Sequence, residues 1–109
     1  MKIIVKQKDW SPFKTHYEIE TVYEYEDALL QEGNKTIVDY VEIKSGKGNI
    51  KYEIYFAFKV LKKKENSLEL KVINRFGETD PFDLKIGESK VFPFEQMDSG
   101  KIYTISLVE

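Results

Sequence analysis

Apolar and polar residues alternate with a period of two through most of this chain, and sustained helical spacing is hard to find. Thr15 to Asp27, THYEIETVYEYED, sets the pattern. Tyr17, Ile19, Thr21, Tyr23 and Tyr25 share one parity, while His16, Glu18, Glu20, Val22, Glu24 and Glu26 share the other. Successive side chains of a strand point to opposite faces, so the stretch reads as a long strand with one buried and one wet side. Ile50 to Lys62 repeats it, with Ile50, Tyr52, Ile54, Phe56, Phe58 and Val60 on the most apolar face in the chain. Leu68, Leu70, Val72, Asn74 and Phe76 continue the alternation after Lys63-Lys64-Glu65-Asn66, and so short a gap argues for an antiparallel hairpin.

Shorter alternating runs predict strands over Lys2 to Gln7, Thr36 to Ile43, Phe82 to Ile86, Lys90 to Phe94 and Lys101 to Val108. Turn signals separate them: Glu32-Gly33-Asn34-Lys35, Ser45-Gly46-Lys47-Gly48-Asn49, Gly77 to Pro81, Gly87-Glu88-Ser89 and Asp98-Ser99-Gly100. Only Glu26 to Gln31 offers a helical turn. About eight short strands at this spacing predict an all-β antiparallel sandwich, immunoglobulin-like or jelly-roll-like, with a small β-barrel as the alternative. No repeat, linker or low-complexity segment interrupts the chain, so residues 1–109 read as a single domain.

One local resemblance supports a sandwich. Asp98-Ser99-Gly100-Lys101-Ile102-Tyr103 resembles the Asp-x-Gly-x-Tyr corner of immunoglobulin-like sandwiches, in which the tyrosine hydroxyl bonds back to upstream backbone. One extra residue separates glycine from tyrosine here. The cysteine pair and core tryptophan of antibody-type domains are missing, because the only tryptophan, Trp10, precedes the long strand in a Trp-Ser-Pro-Phe loop. The resemblance implies architecture and no activity.

Composition narrows the function classes. At 109 residues with 41% hydrophobic and 33% charged positions, the chain can bury one core, and no stretch approaches the ~20 consecutive apolar residues of a membrane helix. Three adjacent apolar residues near Met1 fall short of a secretion signal, which makes a cytoplasmic location the default. The absence of cysteine excludes disulfides, a thiolate nucleophile and a cysteine-ligated zinc. A net charge of −2 sets up no field for a polyanion, so nucleic acid is not an expected partner. The one basic cluster, Lys59 with Lys62, Lys63 and Lys64, reads as a solvated hairpin tip.

Candidate chemistry is sparse. His16, Glu18 and Glu20 stand two residues apart on one strand face, close enough for an imidazole and carboxylates to converge on a divalent cation if a neighbouring strand completes the shell. Otherwise they are the wet side of a sheet, paired across strands with lysines such as Lys51 and Lys59. Glu78, Asp80 and Asp83 could gather oxygens around calcium, although a tight turn ending at Asp80-Pro81 explains the same residues. No serine has a nucleophile-elbow context, and no helix follows Gly46-Lys47-Gly48 to make a phosphate loop.

Aromatic residues form 14% of the chain. The phenylalanines, with Tyr17, Tyr23, Tyr25 and Tyr52, share parity with core aliphatics and are expected to pack inward. Trp10, Tyr40 and Tyr55 stand apart on loop or polar-face positions and are the candidate ligand-binding residues. The expected function is a non-enzymatic interaction or accessory domain that contacts a protein or carbohydrate through an aromatic patch or sheet edge. Homodimerisation through edge strands is a further expectation. The alternative is a metal-binding module or metal-dependent enzyme centred on His16, Glu18 and Glu20, the only cofactor expected being that divalent ion.

Overall fold

The computed structural model describes residues 1–10, 19–95 and 100–109. Among them the chain is all-β apart from a 3₁₀ turn at Asp27–Leu29, where the sequence offers its single helical turn. The strands are β1 (Lys2–Trp10), β2 (Ile19–Tyr25), β3 (Lys35–Lys44), β4 (Ile50–Lys63), β5 (Ser67–Asn74), β6 (Gly77–Glu78), β7 (Phe82–Lys85), β8 (Ser89–Glu95) and β9 (Gly100–Val108). They form two antiparallel sheets, ordered β2-β1-β9-β8 and β3-β4-β5-β6, with β7 also paired to β5. Both sheets are open, the two-sheet composition of a sandwich where the barrel alternative needs one closed sheet. No described helix is long and apolar enough to cross a membrane.

The chain divides into two compact units, residues 1–30 with 84–109, and residues 31–83. In the first, β1 and β9 lie side by side at the centre of the sheet, Ile3 opposite Leu107, Val5 opposite Ile105 and Gln7 opposite Tyr103. All six side chains are buried. β2 adds Tyr25 beside Ile3 and Tyr23 beside Val5, so Thr21, Tyr23 and Tyr25 are half-buried and Glu20, Val22 and Glu24 are exposed. This is the parity expected of the acidic row over its described part. β8 completes the face with Phe92 opposite Tyr103, and the Phe94 and Tyr103 rings meet edge to face with centroids 5.7 Å apart.

In the second unit β4 and β5 form the expected hairpin, closed by the Lys64 amide donating to the Ser67 carbonyl at 2.9 Å. Its buried face carries Phe56, Phe58 and Val60 from β4 and Leu68, Leu70 and Val72 from β5. Leu61 is skipped in the ladder between Val60 and Lys62, a bulge that shifts the register near the hairpin end.

Four details depart from the sequence reading. β1 runs on to Trp10, opposite Gly100, where a loop is expected, because β9 supplies a partner along its whole length. Gly77–Glu78, read as turn, forms β6 against β5, held by the Thr79 amide on the Val72 carbonyl at 2.9 Å and the Val72 amide on Thr79 Oγ1 at 3.0 Å. Phe76 leaves the apolar row of β5. Asn74 Oδ1 accepts its amide at 2.7 Å and Gly77 takes φ +128°, so the chain turns and leaves Phe76 72% exposed. Finally, the cross-strand neighbours of the described part of the acidic row are not Lys51 and Lys59: Glu20 faces Lys8, Glu24 Oε2 lies 3.6 Å from Lys2 Nζ, and Lys59 stands between Lys35 and Lys71. Alternation fixes a residue's face but not its partner, which depends on strand order. Lys71 Nζ, 3.0 Å from Glu78 Oε2, relieves part of the repulsion in that lysine row.

Candidate functional site: an exposed aromatic ribbon

β3 pairs with β4 from Lys35 opposite Lys59 to Lys44 opposite Ile50, but β5 joins β4 only at Ala57. From Tyr40 to Ile54 the second unit is therefore a two-stranded ribbon among the described residues. Its turn is set by the Ser45 amide on the Asn49 carbonyl at 2.9 Å, the Gly48 amide on the Ser45 carbonyl at 3.1 Å, and Gly48 at φ +79°. A two-stranded hairpin gains little stability by itself in water, and apolar side chains on it stay accessible.

The even-numbered face of β4 changes character along its length. Phe56, Phe58 and Val60 are fully buried, whereas Tyr52 is 65% and Ile50 50% exposed. Tyr40, 58% exposed, lies opposite Ile54 and shares this face, and its ring meets Tyr52 edge to face with centroids 5.8 Å apart and planes at 69°. On the other face, the Arg75 guanidinium lies 5.7 Å from the Tyr55 centroid and 5.2 Å from that of Phe76, while its Nε is 3.4 Å from Glu53 Oε1. Arg75 thus links a half-buried tyrosine to the exposed phenylalanine at the β5–β6 turn.

The three candidate ligand-binding residues are placed as follows. Tyr40 and Tyr55 belong to the same unit but to opposite faces of the β3–β4 ladder, and Trp10 ends β1 in the other unit. Tyr52 and Phe76, expected in the core, are instead the exposed aromatics that accompany them. A weak signal was available for Tyr52, which lies close to the Ser45 to Asn49 turn, where a hairpin can outrun its neighbouring strand.

The metal candidates are placed only in part. His16 and Glu18 lie outside the described residues, and Glu20 is exposed on β2 opposite Lys8. Glu78 is engaged by Lys71, and Asp83 Oδ1 lies 3.1 Å from Lys64 Nζ. Among the described residues no group of three or more histidine or carboxylate side chains is arranged to hold a metal ion.

A partly buried polar cluster occupies the first unit. Gln7, 4% exposed, donates from Nε2 to Asp9 Oδ1 at 3.0 Å and Oδ2 at 3.3 Å, and accepts the Tyr23 hydroxyl at 3.4 Å on Oε1. Burial, and secondarily the neighbouring Tyr23, push the Tyr25 phenol from its usual 10.0 up to about 12. Among the described residues, no buried side-chain nitrogen or oxygen lacks a hydrogen-bond partner. The cluster is thus internally satisfied, as a core network requires.

Comparison with protein-family models, with curated proteins and with solved structures gives no match.

Proposed function

We propose that this protein is a non-enzymatic interaction domain that docks a protein partner on the even-numbered face of the β3–β4 ribbon. The observation that carries this reading is the pairing of Tyr40 and Tyr52, both more than half exposed, beside Ile50. Scattered exposed hydrophobic residues are ordinary on protein surfaces, but three of the nine large ones among the described residues, Tyr40, Ile50 and Tyr52, share this one face of the ribbon. Tyrosine suits such a surface, offering a broad apolar ring at little conformational cost and a hydroxyl for the polar rim. A protein is favoured over a carbohydrate because the open ribbon edge also offers backbone hydrogen bonds to an extended or paired segment.

The test is a photo-crosslinking residue placed at Tyr52 in the full chain and expressed in its own cells. A discrete protein adduct at position 52, absent when the same residue replaces exposed Lys85, supports the reading. No adduct at position 52, or equal adducts at both positions, rejects it.

A further inference from the structure

We infer that the occupant of the ribbon is a second copy of this chain, paired antiparallel along Ile50 to Ile54 of β4 about a two-fold axis at Tyr52. This rests on the reading of the ribbon as a docking surface and names its partner. Among the described residues no strand pairs with β4 before Ala57, so no described strand takes up the backbone edge opposite β3 over this segment. Such an edge is a template for another strand. In a two-fold antiparallel contact the residue on the axis faces its own copy, and every other pair occurs twice.

The sequence distinguishes the registers sharply. An axis at Lys51 sets lysine against lysine, and an axis at Glu53 sets glutamate against glutamate; both arrangements are unfavourable directly across strands. An axis at Tyr52 opposes Lys51 to the partner's Glu53, Glu53 to the partner's Lys51, and Ile50 and Ile54 to one another in both directions. Each charge then meets its opposite and each aliphatic side chain meets another. Tyr52 meets its own copy, with Tyr40 of each chain already stacked against it. Glu53 keeps its contact with Arg75, since a carboxylate can accept from two cations. The paired segment is short, which places the dissociation constant between about 1 µM and about 1 mM.

Sedimentation equilibrium gives the first measurement. The weight-average mass should climb from 12.8 kDa toward twice that value as concentration rises, and a chain that stays at 12.8 kDa at about 1 mM overturns the inference. Charge exchange gives the second. Lys51→Glu and Glu53→Lys chains should each be monomeric alone and should associate when mixed, because the mixture restores two opposite-charge pairs; a mixture that stays monomeric overturns it. The native chain has no cysteine, so single-cysteine oxidation reads the register directly. The Tyr52→Cys chain should form a disulfide-linked dimer at least tenfold faster than the Tyr40→Cys chain, and equal rates overturn the inference. Circular dichroism at matched concentration confirms that each variant is folded. If the photo-crosslink at Tyr52 captures only a different protein, self-pairing falls while the ribbon reading stands.

Discussion

Tyr40 and Tyr52 sit diagonally across the β3–β4 ladder and stack edge to face, at a point where the sheet is two strands wide among the described residues. Because both rings face water, their mutual contact is most of what either contributes to folding. Tyr40→Ala and Tyr52→Ala should each destabilise the chain by only about 0.5–1.5 kcal/mol, with a double-mutant coupling inside that range. Phe58→Ala, further along β4 and fully buried, should cost about 3–5 kcal/mol. Urea unfolding of the four variants measures the contrast, and a loss at Tyr52 equal to that at Phe58 would show the ring to be core.

Gln7 is buried between Asp9 and Tyr23 as a neutral amide donating to a carboxylate. Gln7→Glu replaces that donor with a second negative charge in a desolvated place. It should lower stability at neutral pH by about 3 kcal/mol or more, with part of the loss recovered as pH falls toward 5 and the new carboxyl protonates. Thermal melts across that range check the recovery, and a pH-independent deficit would instead indicate misfit.

Tyr25 titrates above an ordinary tyrosine because burial disfavours its phenolate. Its folded value, about 12, exceeds the usual 10.0, so its contribution is complete below pH 10 and is lost as pH rises toward 12. Stability of the native chain should therefore fall more steeply between pH 10 and pH 12 than that of Tyr25→Phe. Chemical denaturation at several alkaline pH values, with phenolate absorbance followed in parallel, tests the difference.

The turn after β5 depends on Gly77 at φ +128° and on the Asn74 side chain. A side chain at residue 77 meets no neighbouring atom within 4 Å, so the penalty of Gly77→Ala is conformational. It should cost about 1–3 kcal/mol, and Asn74→Ala about 0.5–1.5 kcal/mol. Both should also change the environment of Phe76, visible in near-ultraviolet circular dichroism.

Much of the fold could be read from alternation, because alternation is a property of residues two apart. It placed the β4–β5 hairpin and the wet parity of Glu20, Val22 and Glu24. The sequence was silent wherever the outcome depended on a distant partner. β1 extends to Trp10 because β9 continues beside it, and Glu24 meets Lys2 because β2 neighbours β1 and not β4. Tyr52 has the parity of Phe56 and Phe58, yet it is exposed because β5 stops short of it. Parity assigns a face; whether anything covers that face is set by the lengths and order of other strands.

The interleaving of the two units also sets an order for biosynthesis. Residues 31–83 emerge consecutively and pair largely between sequence neighbours, so this sheet can close while the remainder of the chain is still being made. The other sheet cannot. Ile3 and Val5 leave the ribosome early and have to wait for Leu107 and Ile105, which come near the end of β9. During that interval β1 has β2 as a neighbour but still lacks β9, so one of its two edges stays unpaired until the last strand is made.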